Sequence, residues 1–274
     1  MMLGTGPTAG AKILIYGASG VGKTALLGTL AAAGYKLHVL DLERGHTTLM
    51  NPKILPEEFR ENIDVAVIPD LRTAAIAYDT VSNVLKGRGK ICNKHGKVSC
   101  ALCAKEPPEA FTTIEIGKFT SKDILVIDTL TQLSYSALNR VCKEAYAKPG
   151  GDEYKHTFND YGAQGQLVMD VFSYIQALSV NIICISHETG WRTDEEAPEN
   201  MIPIAGTRNM SRTVGRYFDD VIYMTRINGT IRAFNDKAPD RAAVKNRSGF
   251  ILDNLKGAEI SLAPIVAAIQ RIGS

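Results

Sequence analysis

The residues with the most specific chemistry form one glycine-rich segment that matches the P-loop pattern. It consists of Gly17, Ala18, Ser19, Gly20, Val21, Gly22, Lys23 and Thr24. Its glycines allow successive backbone N–H groups to turn inward around phosphates, and a helix that begins there adds a favourable dipole. The Lys23 amine can reach the outer phosphates of a nucleoside triphosphate, and the Thr24 hydroxyl can bind Mg²⁺. A chance glycine-rich turn is the alternative, but a strand-like run precedes the segment and a helix-like run follows it, as a phosphate site requires.

Two carboxylates are candidates to complete this site. Asp128 closes a run of four aliphatic residues, so we expect it at the tip of a buried strand, holding the metal through water. The alternative to this metal-binding role is that Asp128 only caps the following helix. Glu43 lies just beyond the second predicted strand and is the candidate base for the attacking water, with Asp41 as its competitor.

The hydrophobic pattern alternates between short buried runs and helical periodicity. We predict strands at 12–16, 37–40, 63–68, 123–128, 180–186 and 220–225, and a hairpin within 230–247. We predict helices at 24–32, 71–85, 130–147, 161–178 and 262–272. Strands and helices that alternate at these lengths indicate an α/β fold with a mostly parallel sheet flanked by helices on both faces.

With these residues placed, the chain resembles the RecA-like ATPases from about residue 12 to 249, most closely a phage group that includes the Sak-type single-strand annealing and recombination ATPases. The P-loop alone is shared by many unrelated proteins, whereas Asp41-Leu42-Glu43 is similar to the RecA segment that carries the catalytic glutamate. The resemblance implies a RecA-like core that binds ATP and Mg²⁺, with Glu43 as the base.

The resemblance also implies roles for three further residues. His187 follows a predicted strand at the position that contacts the γ-phosphate, so it is a sensor candidate; otherwise it is a surface histidine. Lys245 and Arg247 match a Lys-x-Arg segment whose cations reach the nucleotide of a neighbouring subunit, and a solvated basic turn is the alternative. The trans role would require a homo-oligomer, either a ring or a filament.

The segment that follows His187 lies where RecA-like proteins carry DNA-contacting loops. Arg208, Arg212 and Arg216 are spaced by four residues and would form one basic stripe on a helix. Such a stripe is also typical of a solvated face. If DNA binds there, we expect single strands with weak sequence preference.

The hydrophobic residues of 87–110 show no helical or strand periodicity, and this segment forms a candidate zinc-binding insertion. Its four candidate ligands are Cys92, His95, Cys100 and Cys103. Two close pairs separated by a short turn can build a tetrahedral structural Zn²⁺ site. A disordered basic loop with unconnected thiols is the alternative.

Composition limits the remaining possibilities. The 274 residues fit one large domain, and the net charge of +2 provides no global field for nucleic acid. The first ten residues do not have the pattern of a signal peptide, and no run is long and apolar enough to cross a membrane. The odd number of cysteines, five, argues against a disulfide framework. We therefore expect a cytoplasmic protein, in the host cytoplasm if the chain is phage-encoded.

The preferred function is an ATPase of phage DNA recombination or single-strand annealing, coupled to single-stranded DNA or to its binding protein. The rivals are a helicase-type motor or loader, a small-molecule P-loop kinase, and a regulatory nucleotide-binding protein with negligible turnover. A kinase would need a compact arginine-rich lid, and the sequence contains no obvious one.

Overall fold

In the computed structural model, residues 10–272 are described, apart from Ser99 and the side chain of Leu102. The first nine residues, on which the signal-peptide prediction rests, lie outside this range, as do the last two residues of the predicted 1–274 domain.

The strands form one large twisted sheet and one small hairpin. They are β1 (Lys12–Gly17), β2 (Lys36–Asp41), β3 (Ile63–Val67), β4 (Lys90–Cys92), β5 (Phe111–Thr113), β6 (Asp123–Asp128), β7 (Asn181–Trp191), β8 (Asn200–Pro203), β9 (Asp220–Ile227) and β10 (Thr230–Phe234). The large sheet has the order β10-β9-β1-β7-β6-β2-β3, and β8 pairs with the outer part of β7. All pairings from β9 to β3 are parallel, whereas β10 and β8 pair antiparallel.

Helices cover both faces of this sheet. They are α1 (Lys23–Leu26), α2 (Gly28–Ala32), α3 (Ile76–Leu85), α4 (Leu130–Tyr146), α5 (Phe158–Ala177), α6 (Arg208–Thr213) and α7 (Ala263–Ile272). One apolar cluster packs α3, α4 and α5 on one face, and a second packs α1, α2 and α7 on the other. Because both faces are covered, the central strands are buried along their length, which explains their unbroken aliphatic runs. The predicted α/β class and mostly parallel sheet are confirmed.

Several element boundaries differ from the prediction. The helix predicted at 24–32 is two short helices that meet at Leu27, and the helix predicted from residue 71 begins only at Ile76. β7 continues to Trp191 and turns back through β8, so part of the segment expected to be loop is a hairpin. Only 230–234 of the predicted 230–247 hairpin pairs with β9; an isolated bridge joins Lys245 to Val221.

The insertion at 87–110 is anchored to the main body. Its first strand, β4, pairs with β5, which follows the insertion. Gly96 approaches the backbone of Ile68 so closely that a Cβ atom would lie 2.9 Å from the Ile68 Cα, and Thr80 Oγ1 donates to the Gly96 carbonyl at 2.6 Å. The insertion is therefore fixed against β3 and α3.

Within residues 10–98 and 100–272, no helix is both long and apolar enough to cross a membrane.

A buried polar network organises the irregular chain beyond β10. Asp220, fully buried at the start of β9, accepts hydrogen bonds from the backbone N–H groups of Arg247 and Ser248 and from the Ser248 hydroxyl. The Asn235 amide also donates to Asp220 at 3.1 Å and to the Phe250 carbonyl at 2.8 Å. Since a buried carboxylate is tolerated only when its lone pairs are satisfied, this network fixes the turn that carries Arg247.

We predict that Asn235→Leu lowers the free energy of unfolding by about 2–4 kcal/mol, because Asp220 and the Phe250 carbonyl lose a buried donor. Chemical denaturation monitored by circular dichroism measures the change. Asn254→Ala, at an exposed position in the same segment, is the control and should change it by less than about 0.5 kcal/mol. An equal effect of the two substitutions would contradict the structural role of the network.

Candidate active site

The candidate site lies at the edge of the sheet where the parallel strands end. Gly17 ends β1, Asp41 ends β2 and Asp128 ends β6. His187 on β7 is in register with Gly17, between β1 and β6. Parallel pairing therefore brings the phosphate-binding segment, the two strand-ending carboxylates and the sensor candidate to one place.

The P-loop backbone is tightly packed against its surroundings. A Cβ atom on Gly17 would lie 2.1 Å from the Met224 carbonyl oxygen, so this position requires glycine. The Lys23 ammonium is buried and donates to the carbonyl oxygens of Gly17 and Ala18, at 2.9 and 2.8 Å. Burial lowers the pKa of Lys23, although the charges of Asp128 and Glu43 oppose the shift. The loop thus presents its cation in a fixed position.

Thr24 and Asp128 are in direct contact. The Thr24 hydroxyl donates to Asp128 Oδ2 at 2.9 Å. Burial, together with the charges of Asp41 and Glu43, raises the pKa of Asp128 to about 6. A Cβ atom on Gly45 would lie only 3.0 Å from Asp128 Oδ2, so that glycine leaves space above the pair. A hydroxyl and a carboxylate oxygen within a concentration of negative charge fit the donor set that Mg²⁺ prefers.

Glu43 is held by both of its carboxylate oxygens. Thr129 Oγ1 donates to Oε1 at 2.6 Å, and His187 Nε2 lies 3.0 Å from Oε2. Burial raises the pKa of Glu43, but the hydrogen bonds from His187 and Thr129 and the charges of His187 and Lys23 outweigh it, so the pKa lies below its ordinary value. Glu43 is therefore ionised at neutral pH, as a general base must be.

Asp41, the competing base, has a different environment. Its fully buried carboxylate accepts hydrogen bonds from the backbone N–H groups of Glu43, Gly45 and His46 and from the His46 ring. These bonds shape the loop after β2 and leave Asp41 no access to a reacting water. Of the two carboxylates, Glu43 is the more exposed, whereas Asp41 is occupied by the loop that carries Glu43.

Thr129 is a site residue that sequence reasoning missed. Its hydroxyl caps α4 by accepting from the Gln132 N–H, and it also donates to Glu43. The signal was a hydroxyl residue between the strand-ending carboxylate and the next helix, a position that reads as an ordinary helix cap. Thr131 is a second site residue that the sequence did not reveal. Its hydroxyl accepts a hydrogen bond from the His187 backbone N–H at 2.9 Å.

Lys245 and Arg247 lie away from this site. Arg247 pairs with Asp219 at 2.9 Å, and Asp219 accepts from the backbone N–H of Lys12, the first residue of β1. The P-loop follows the other end of β1, roughly 17 Å away at the usual strand rise. The Lys245 ammonium donates to the carbonyl oxygens of Gly215 and Phe218. Within one chain, neither cation reaches the P-loop.

The three arginines do not form one helical stripe. Arg208 and Arg212 belong to the short helix α6, whereas Arg216 lies in the 3₁₀ turn that follows. Arg212 lies over the Trp191 ring at 4.0 Å, and Arg216 contacts the ring and hydroxyl of Tyr217.

The insertion brings together three of its four candidate ligands. Ligand atoms of Cys92, His95 and Cys103 all lie within 4.8 Å of one another. Cys100 lies outside this trio but interacts with Cys103. The hydrogen bond with Cys92, burial and the Cys100 contact raise the pKa of the Cys103 thiol to about 11. Thiols that crowd one point in this way are the donor set of a structural zinc site.

Comparison with known proteins gives a family. None of the curated proteins compared with the chain matches it. Among solved structures, the RadB recombinase is similar over 89% of this chain and 99% of its own, with 15% identity and a TM-score of 0.42. An ATPase from the type III secretion system of pathogenic bacteria is similar over 80% of this chain and 52% of its own, with 16% identity and a TM-score of 0.42. The sequence profile described as an AAA domain matches residues 9–248, and the protein therefore belongs to the AAA-domain family.

Proposed function

We propose that this protein is a Mg²⁺-dependent ATPase of the RecA-like type that acts on single-stranded DNA in phage recombination or annealing. The observation that carries the proposal is the contact between Thr24 and Asp128 at the P-loop, with Glu43 fixed beside them. These are the groups that hydrolysis of a nucleoside triphosphate requires: a phosphate cradle, oxygen ligands for the metal and a base for water.

The chain's own residues account for the reaction. The P-loop amides hold the phosphates of ATP, and Lys23 exchanges its contacts with the loop carbonyls for contacts with the outer phosphate oxygens. Thr24 and Asp128 would hold Mg²⁺, which neutralises charge on those oxygens. Glu43 takes a proton from the attacking water, whose oxygen bonds to the γ-phosphorus as the bond to the ADP oxygen breaks.

His187 is proposed as the sensor because it links Glu43 to the strand beside the P-loop. Each oxygen of Glu43 has one side-chain partner, Thr129 or His187, and keeps a free lone pair for a proton from water. Thr129 is almost fully buried in the start of α4, whereas the His187 side chain is 29% exposed. His187 is therefore the partner that a γ-phosphate can draw away.

Arg247 is proposed to act on the nucleotide of a neighbouring subunit in a homo-oligomer, a ring or a filament. Its side chain is 60% exposed, and it lies on the opposite edge of the sheet from its own P-loop. A guanidinium supplied in this way neutralises charge on the transferred phosphoryl group. Because the Lys245 ammonium already has two carbonyl partners, we assign it the task of supporting the Arg247 turn.

The proposed DNA contact uses the arginines of α6 and the turn after it. Arg208 is exposed, and no carboxylate in residues 10–98 or 100–272 forms an ion pair with it. Arg212 and Arg216 present their guanidinium groups over aromatic rings, which leaves their charge available to phosphates. A single-strand DNA-binding protein is the proposed protein partner.

The insertion is proposed to hold one structural Zn²⁺ through Cys92, His95, Cys103 and Cys100. The convergence of the first three carries this proposal, and the contact of Cys100 with Cys103 supports Cys100 as the fourth ligand. A bound metal would deprotonate the thiols and cross-link a segment whose described residues form one strand of a short hairpin and two 3₁₀ turns.

We predict that Glu43→Gln lowers the rate of ATP hydrolysis by about 10²- to 10⁴-fold while ATP binding persists, because the base is lost but the phosphate cradle remains. Phosphate release and fluorescent-nucleotide binding measure the two effects, and Glu58→Gln, on an exposed 3₁₀ turn, is the control. Adding Thr129→Val to Glu43→Gln should cause no further loss, since Thr129 acts through Glu43. If Glu43→Gln shows the same rate of ATP hydrolysis as the wild type, the protein is a regulatory nucleotide-binding protein or uses a different base.

We predict that Lys23→Ala and Arg247→Ala are each inactive alone but regain part of the ATPase activity when unfolded together and refolded. A mixed assembly contains interfaces with an intact P-loop on one subunit and an intact Arg247 on the next. Steady-state ATP hydrolysis measures the recovery, and Arg88→Ala, at an exposed position, is the control that should stay active. If co-refolded mixtures that assemble like the wild type recover nothing, the trans role of Arg247 is wrong.

We predict about one equivalent of Zn²⁺ per chain in protein purified without chelators, and a loss of most of it in Cys103→Ser. Elemental analysis by mass spectrometry measures the metal. Cys142→Ser, which changes a buried thiol outside the insertion, is the control and should retain it. Less than about half an equivalent in the wild type would contradict the zinc proposal.

A further inference from the structure

A large open cleft with aromatic side chains at its rim lies beside α6. Its volume is about 960 Å³, and it is lined by the start of α5, one side of α4, the outer part of β7 and the segment that leads into α6. Phe158 in this rim is 91% exposed, Tyr135 is 53% exposed and Tyr161 is 43% exposed. Large aromatic side chains are rarely left this open on a surface with no partner.

The elements beneath the rim position two of the aromatic residues. Phe158 is the first residue of α5, where Thr157 and Asp160 form a reciprocal capping box that fixes the helix start. The Tyr161 ring lies edge-on to His156 at 5.8 Å, and His156 is hydrogen-bonded to the Tyr146 hydroxyl at 2.6 Å. The Tyr161 ring is therefore held by its neighbour, and the start of α5 fixes the backbone position from which Phe158 projects.

Three polar side chains in the floor of the cleft form hydrogen bonds within the protein. Gln164 donates to the Ser134 carbonyl at 2.7 Å, and the Ser134 hydroxyl accepts from the Gly206 N–H at 2.6 Å. The Ser211 hydroxyl accepts from the Ala205 N–H at 3.0 Å. The amides of Asn139 and Asn209 also line the cleft, while the rings at its rim offer faces on which bases can stack.

The charge of the cleft fits an anionic chain. Among the described residues that line it there is no carboxylate, while Arg208 stands at the rim. Asp160, two residues after Phe158, accepts hydrogen bonds from the Thr157 hydroxyl at 2.8 Å and from the Tyr154 hydroxyl at 2.9 Å. A ligand that combines stackable faces with phosphates meets both requirements.

We infer that this cleft binds the bases of single-stranded DNA by stacking on Phe158, Tyr161 and Tyr135, with Arg208 on the adjoining phosphates. The inference rests on the proposed single-stranded DNA partner and changes where it binds: the bases lie in the cleft, and the arginines contact only the backbone. Stacking on the faces of bases gives binding with weak sequence preference.

The test measures anisotropy of a fluorescent thymidine oligonucleotide and of an abasic oligonucleotide of equal length. We expect the wild type to bind the thymidine strand much more tightly, and Phe158→Ala and Tyr161→Ala each to weaken it by roughly 5-fold or more without affecting the abasic strand. Tyr174→Ala, an exposed tyrosine elsewhere on α5, is the control and should bind like the wild type.

Three results would overturn the inference. Equal binding of the two strands by the wild type would mean phosphate contact alone. Unchanged binding by both aromatic variants would place the DNA elsewhere. A change in oligomeric state by light scattering, with DNA affinity preserved, would make the cleft an interface between copies of the chain. Basal ATP hydrolysis of the variants should equal that of the wild type, so a failure of this inference is distinct from a failure of the proposed ATPase. If the wild type binds neither oligonucleotide, the proposed DNA partner is itself wrong, and this inference falls with it.

Discussion

The whole site depends on one hydrogen bond between distant parts of the chain, from the Thr24 hydroxyl to Asp128. It joins the first helix to the end of β6, which is separated from β1 in the sheet by β7. For these two side chains to touch, β1, β7 and β6 must be parallel and in correct register, and the loop after Gly17 must close tightly on Met224. A slip of one residue in any pairing would turn Asp128 to the other face of the sheet.

Around this contact the carboxylates have separate tasks that follow from their environments. Asp41 has its lone pairs filled by the backbone of the following loop, so it shapes that loop. Asp128 accepts few hydrogen bonds and burial raises its pKa, so a bound cation would stabilise its ionised form. Glu43 is stabilised as an anion by a histidine and a threonine. Three acidic groups at one sheet edge thus differ in the partners around them, and these differences underlie the separate roles proposed for them.

Much of this arrangement could be predicted from the sequence because its signals are local. The P-loop spacing, the aliphatic run that ends at Asp128 and the position of Glu43 after β2 each depend on a few consecutive residues. What escaped prediction depends on contacts across the sheet. Thr129 reads as a helix cap until Glu43, 86 residues earlier, lies beside it. The arginine stripe looked helical because its spacing is helical, but α6 ends before Arg216, whose guanidinium packs on Tyr217 instead.

The central position of β1 has a consequence for how the chain is made. Both of its neighbours, β7 and β9, lie more than 160 residues later in the sequence. At synthesis rates of about 5–20 residues per second, the strand leaves the ribosome roughly 10–40 s before β9 is translated. During that interval two bare edges of an aliphatic strand are open to wrong pairing. The phosphate cradle cannot assemble until β7 and β9 have emerged, so nucleotide cannot guide the early steps of folding.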